Sequence, residues 1–175
     1  MSLSIRPCPL PGDALLRKYV DSGDYTDCFC VEIVEPTTQT EFVAAFYTTW
    51  IFKLERLILR VFFDKASSDA DARRLAESAA TSFAAWNVEA RNDNQLLLSD
   101  YAGQTRSWLM TSPTAAESSG RTRLYFGSAI IKRKDKVRGE KSMGPVFRLL
   151  LGPHKLYSRV LLQAARSRLR RKHCA

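Results

Sequence analysis

The sequence predicts an α+β fold in a single domain over residues 1–175: an antiparallel sheet packed against a long C-terminal helix, with two or three helices between the first strand and the later ones. Three observations predict it. From about Pro153 to Arg171, Leu156, Tyr157, Val160, Leu161, Ala164 and Leu169 recur at three- and four-residue spacing, the mark of one apolar helix face. From Trp86 to Ile131 apolar and polar residues alternate in short runs separated by turn residues, which reads as an antiparallel meander. Between Thr38 and Ala85 the apolar spacing is helical.

Residues 1–23 form a peripheral N-terminal segment, in which Asp13 caps a short helix over Ala14 to Val20 that ends near Ser22-Gly23. The core, 24–170, opens with a strand over Tyr25 to Val34. Tyr25, Phe29, Val31 and Ile33 lie on one of its faces, Cys28, Cys30 and Val34 on the other, and Pro36 stops it. Thr38-Gln-Thr-Glu41 is a capping box that starts a helix running through Phe42, Ala45 and Phe46 to about Thr49. A second helix presents Ile51, Leu54, Leu57, Ile58, Val61 and Phe62, and a third, Asp69 to Ala85, turns Leu75, Ala76, Ala79 and Phe83 inward.

The meander follows. Trp86 to Arg91 is a strand, Asn92-Asp-Asn94 a turn, and Leu96, Leu98 and Asp100 share one parity of the next strand. After the loop Tyr101 to Thr105, a strand from Arg106 to Thr111 sets Arg106, Trp108 and Met110 on one face. The loop Ser112 to Gly120 then leads to the strand Arg123 to Ile131. Lys132 to Lys141 is a charged connector, Gly152 breaks the helical segment begun at Pro145, and Pro153 suits the first turn of the last helix. Residues 171–175 are a basic tail.

At 175 residues, 45% of them hydrophobic, the chain can bury a core without disulfides or metal. No run approaches the roughly 18 apolar residues of a membrane span. The first residues, with one Arg and two Pro, do not read as a secretory leader, so a cytoplasmic location is expected. Cys8, Cys28, Cys30 and Cys174 have no zinc or disulfide spacing. Cys28 and Cys30 lie roughly 7 Å apart along one strand, too far for a bridge, so the thiols are structural and no metal or cofactor is expected.

The net charge of +9 is concentrated at one end: residues 132–175 hold 14 Lys/Arg against 2 Asp/Glu. Arg166, Arg168, Arg170, Arg171 and Lys172 crowd the tail, and Lys132, Arg133, Lys134, Lys136 and Arg138 the connector. Such a surface suits nucleic acid, anionic lipid or an acidic protein, or is a solvated helix face. Without aromatic or recognition-helix signals for readout, only weak, salt-dependent association with polyanions is expected.

The chemistry-bearing candidates are few. A five-residue loop places Asp100 opposite Arg106, close enough for a charged pair. That pair is either a hairpin-end salt bridge exposed to water or sets Arg106 at the mouth of a cavity, where its guanidinium would hold a ligand's carboxylate or phosphate. His154, in the first turn of the last helix, is the acid–base candidate, although the sequence offers it no partner. Gly139-Glu-Lys-Ser-Met-Gly144 lacks the phosphate-loop spacing, and there is no GxGxxG, HExxH or GxSxG.

Tyr25-Thr-Asp-Cys-Phe29, Leu54-Glu-Arg-Leu-Ile-Leu-Arg60, the hairpin Asp100 to Leu109 and Pro153-His-Lys-Leu-Tyr157 are similar to segments of uncharacterised bacterial proteins. With the order of elements, they make residues 24 to 170 resemble the START-like, helix-grip superfamily. That resemblance implies a sheet wrapped around the C-terminal helix and an apolar cavity between them, used for lipids, hormones or polyketides and occasionally for catalysis. The function this resemblance implies is binding of an apolar or amphipathic small molecule with an anionic group, in a sheet-to-helix cavity lined by Trp108, Phe126 and Tyr157 with Arg106 holding the anionic group. The alternatives are a module for an anionic partner through the basic C-terminal region, and a small enzyme using the same cavity.

Overall fold

The computed structural model describes residues 4–53, 67–114, 120–134, 141–142 and 145–173. Most of the expected second helix, from Leu54 to Phe62, and the connector residues Lys136 and Arg138 lie outside these. The fold is α+β. Seven strands, β1 (Arg6–Pro7), β2 (Tyr25–Ile33), β3 (Ser82–Phe83), β4 (Trp86–Asn92), β5 (Gln95–Asp100), β6 (Thr105–Pro113) and β7 (Thr122–Ile130), form one antiparallel sheet in the order β1-β2-β7-β6-β5-β4-β3. The meander β4 to β7 stands as expected, and the early strand β2 closes against its last member. Two two-residue strands, β1 and β3, extend its edges, and β8 (Arg133–Lys134) pairs with β9 (Lys141–Ser142) in a separate ribbon.

Both faces of the sheet are covered, as the side-chain parity of β2 requires. Phe29, Val31 and Ile33 join Leu96, Leu98, Leu109, Leu124 and Phe126 in the larger core. Against them pack α2 (Gln39–Tyr47), through Phe42, Val43 and Phe46, α3 (Asp69–Ala76), through Ala72 and Leu75, and the C-terminal helix α4 (Pro145–His173). Cys28, Cys30, Leu97, Trp108, Met110, Tyr125 and Ala129 form the second core under the N-terminal segment, whose Ala14 and Leu16 are buried in it. That segment is therefore a structural layer. Its helix α1 (Arg17–Asp21) is shorter than expected and has Leu16 at its N-cap with no side-chain cap bond, so Asp13 does not cap it.

The capping box at Thr38 and Glu41 is formed as read from the sequence. The third helix is not as long as its spacing suggested. It ends at Ala76 because Ser78 takes a left-handed conformation, φ 63°, while the Ala79 amide reaches back to the Arg74 carbonyl at 2.8 Å. Phe83 still turns inward, but from β3. Gly152 does not break the last helix either: α4 is continuous from Pro145, and Pro153 removes only the one hydrogen bond that the Leu149 carbonyl would have accepted.

The buried face of α4 is rotated from the expected stripe. Leu161, Leu162, Ala165 and Leu169 are buried and Tyr157 and Ala164 pack at the margin, but Leu156 and Val160 face solvent. Ser158 completes the buried face, because its hydroxyl donates to the His154 carbonyl at 3.0 Å and so needs no water. That orientation sets the next two residues on the inner side of the helix, His154 and Tyr157, over the sheet.

Candidate functional site

Between the sheet, the end of α2 and α4 lies a cavity of about 460 Å³. Phe46, Ile51 and Phe52 close one side, Trp86 and the start of β6 another, and Phe126, Ser128, Ala129 and Ile130 form its floor along β7. His154, Tyr157 and Leu161 roof it from α4. The wall is mostly apolar and aromatic, with Tyr47 donating or accepting a 3.1 Å hydrogen bond with Ser107 on one side of it. A predominantly apolar space with a few convergent polar groups is the usual form of a small-molecule site.

The polar groups converge at one point. Register pairs Asp27 of β2 with Ser128 of β7, and both the Ser128 amide (3.1 Å) and its hydroxyl (2.6 Å) donate to Asp27 Oδ1. The Ser128 oxygen lies 2.8 Å from His154 Nε2, and Asp27 Oδ2 lies 3.6 Å from the same nitrogen. Asp27 is almost closed off, its side chain 8% exposed, whereas His154 keeps 28%. The Tyr25 hydroxyl donates to Asp27 Oδ2 at 3.4 Å. Burial, with the Asp27 charge and this bond, pushes its phenol up to about 12, so it stays protonated.

Serine, histidine and aspartate here are not wired as a hydrolase triad. In such a triad the carboxylate holds the far ring nitrogen and histidine takes the serine proton. Here the carboxylate holds the serine itself, and the Ser128 amide, which an oxyanion would need, is spent on Asp27. A serine nucleophile is therefore not the chemistry of this cluster.

The six residues singled out in the sequence separate. Phe126, Tyr157 and His154 line the cavity. Arg106 also contributes to its wall, but its guanidinium is turned away: Nε lies 2.5 Å from Glu89 Oε2 and donates to the Tyr19 hydroxyl at 2.7 Å. Trp108 belongs to the second core on the opposite face, its indole N–H donating to Gln95 Oε1 at 2.9 Å. The expected Asp100–Arg106 pair does not form, because Ser99 is the residue opposite Arg106. Asp100 instead fastens its own turn, accepting from the Gln104 and Thr105 amides at 2.7 and 3.2 Å.

The residues missed were Asp27 and Ser128, the partners of His154. Asp27 had a signal: it shares the parity of Tyr25, Phe29, Val31 and Ile33, a lone carboxylate on a core-facing stripe, which is unfavourable to bury without a partner. A second unforeseen proximity joins Cys8 and Cys28, whose sulfurs lie 3.4 Å apart. Their hydrogen bond, with burial, pushes the Cys8 thiol up to about 12, so it is a protonated, unreactive group near neutral pH.

Among the described residues no cluster of His, Cys, Asp and Glu could hold a metal ion, and no helix is long and apolar enough to cross a membrane. The basic end is thinner than the sequence suggests: Arg166 is buried, and Lys172 is paired with Glu41 at 2.8 Å. Comparison with protein-family models, curated proteins and solved structures found no match for this chain.

Proposed function

We propose that this chain binds a small, largely apolar molecule between the sheet and α4, with the polar end of that molecule seated at Ser128 and His154. The single observation that carries the reading is the cavity of about 460 Å³, mostly apolar in its wall, with the hydrogen-bonded Asp27–Ser128–His154 cluster set into it. The polar end is taken as a hydrogen-bonding group and not as an anion, because Glu89 already neutralises Arg106 and Asp27 stands behind Ser128. A START-like relationship belongs to the same reading; what supports it is a sheet and a long C-terminal helix with an apolar space between them. Free thiols at Cys8, Cys28 and Cys30 suit a reducing compartment such as the cytoplasm.

A specific observation also favours the enzyme reading. A titrating group in the cavity with a partner is the feature that separates catalysis from storage, and His154 has both Ser128 and Asp27. Association of polyanions with the exposed Arg168, Arg170 and Arg171 is secondary, weak and salt-dependent.

Native mass spectrometry and thermal shift with fatty acids, aromatic acids and neutral phenols test the binding. One class is expected to bind as a single copy per chain and raise the melting temperature, because a ligand of the native state stabilises by mass action. Leu161→Trp, which fills the cavity, is expected to abolish it. Silence across the whole panel would refute the reading.

A further inference from the structure

We infer that His154 is a general base in this cavity, its ring held by Ser128 and Asp27 with Nδ1 open, and that the molecule it acts on is an apolar weak acid, a phenol or an enolisable ketone. The inference rests on the cavity being a binding site and adds what the site does there.

The wiring follows from counting protons. A serine hydroxyl has one proton, and that of Ser128 points at Asp27 Oδ1 across 2.6 Å, the shortest contact in the cluster. The Ser128 oxygen can then meet His154 Nε2 at 2.8 Å only as an acceptor, so Nε2 carries the ring proton. In the neutral form of the ring the lone pair is then on Nδ1. Among the described residues nothing donates to Nδ1, and His154 lines the cavity. A histidine whose second nitrogen fixes its tautomer through a hydrogen bond to a buried carboxylate, here relayed by a serine, is arranged to accept a proton from whatever faces it.

The surroundings complete the requirement. When the bound acid gives its proton to Nδ1, the O–H or C–H electron pair stays on the substrate as a phenolate or enolate, and His154 becomes an imidazolium. The carboxylate of Asp27, 3.6 Å from Nε2, faces that new charge. On β2, Asp27 faces the ring and the Tyr25 phenol, which stays neutral, bonds to its carboxylate; Tyr157 of α4 and Arg106 of β6 line the same cavity. The imidazolium then returns the proton, to the same atom or to another atom of the enolate, so no oxidant or co-reactant is needed. The aromatic wall of Phe46, Phe126 and Trp86 suits a flat, apolar acid.

Two measurements on the full chain test this. The chain has only two histidines, His154 and His173, so ring-nitrogen NMR with His173→Gln as the assignment variant reads His154 alone. The expected result is a neutral ring protonated on Nε2, with the preference lost in Ser128→Ala and Asp27→Asn. A ring protonated on Nδ1 in the wild-type chain would overturn the inference regardless of whether those variants fold.

The second uses para-nitrophenol, whose colour reports its ionisation. Bound to the wild-type chain it is expected to ionise at least about tenfold more readily than in free solution, one unit of acidity, and His154→Gln is expected to bind it without that gain. Equal ionisation in the two chains would overturn the base. If para-nitrophenol fails to bind while fatty acids do, the weak-acid class is wrong; if nothing in the panel binds, the cavity reading itself falls.

Discussion

Arg106 Nε lies 2.5 Å from Glu89 Oε2, a pairing that reaches from β6 over β5 to β4 and turns the Arg106 guanidinium away from the cavity under α4. Lys18 and Tyr19 of α1 add to it. Lys18 Nζ lies 2.5 Å from Glu89 Oε1, the Tyr19 hydroxyl donates to the same carboxylate, and Arg106 packs its charge 5.0 Å above the Tyr19 ring. The cluster clips the N-terminal layer to the sheet.

Burial works to raise the Glu89 carboxyl, but hydrogen bonds from Lys18 and Tyr19 and the charge of Arg106 outweigh it and hold the group below its ordinary value. A carboxylate depressed in the folded state stabilises above its unfolded value of about 4.3, and that contribution is lost as pH falls through the lower folded value. Glu89→Gln is therefore expected to cost about 2 kcal/mol in urea unfolding near neutral pH, since it leaves Arg106 half-satisfied in a mostly buried site. The gap to the wild type should narrow below about pH 4. A gap that is constant with pH would show that the cluster contributes by shape and not by charge.

Glu41 gives a second acid-sensitive tie. The Lys172 ammonium and the Thr38 amide hold its carboxyl at about 2, and through it the last turn of α4 is joined to the first turn of α2. The same sign applies: the contribution is present above about pH 4 and disappears as pH falls toward 2. Glu41→Ala removes the capping box and is expected to cost about 1 kcal/mol. Lys172→Ala removes only an exposed ion pair and should cost less than about 0.5 kcal/mol. Equal losses in calorimetry would mean that the tie to α4, and not the cap, is what matters.

The face of α4 is testable by one pair of substitutions. Leu162 is fully buried in the larger core and Leu156 is 64% exposed. Leu162→Ala should cost about 2 to 5 kcal/mol and Leu156→Ala no more than about 0.5. Comparable losses at both positions would restore the stripe read from periodicity.

That stripe shows where the sequence was legible and where it was not. Alternation placed β2 and β4 to β7 because successive side chains of a strand point to opposite faces, and the capping box at Thr38 and Glu41 marked α2 chemically. On α4, apolar residues surround more than half of the helix, so Leu156 and Val160 fitted a stripe as well as Leu162 and Ala165. Only Ser158, buried by a bond to its own helix, distinguishes the inner face. The end of α3 was hidden because Ser78, and not glycine, adopts the left-handed turn. The site was hidden for another reason. Its three side chains come from residues 27, 128 and 154, and only the pairing of β2 with β7 brings the first two together.

Gly127 connects that pairing to the layer beneath it. It stands opposite Cys28 on β2 and Trp108 on β6, and its bare α-carbon admits Leu16 from the N-terminal segment. A β-carbon there would meet the Asp27 carbonyl oxygen and Leu16 Cδ2 at 2.9 Å and Trp108 Cε3 at 3.0 Å. Two of those atoms belong to a paired backbone and an indole in the core, neither of which can swing aside. Gly127→Ala is therefore expected to cost about 1 to 3 kcal/mol as overpacking. Gly12→Ala, with nothing within 4 Å of the added carbon, should leave stability nearly unchanged. Because the displaced backbone is that of Asp27 and the substituted residue precedes Ser128, the damage should reach the site as well. The His154 ring-nitrogen resonances are expected to move in Gly127→Ala and to stay in place in Gly12→Ala. If Gly127→Ala unfolds at the wild-type urea concentration with those resonances unmoved, the close packing of Leu16 and Trp108 around this glycine is not what fixes β2 against β7.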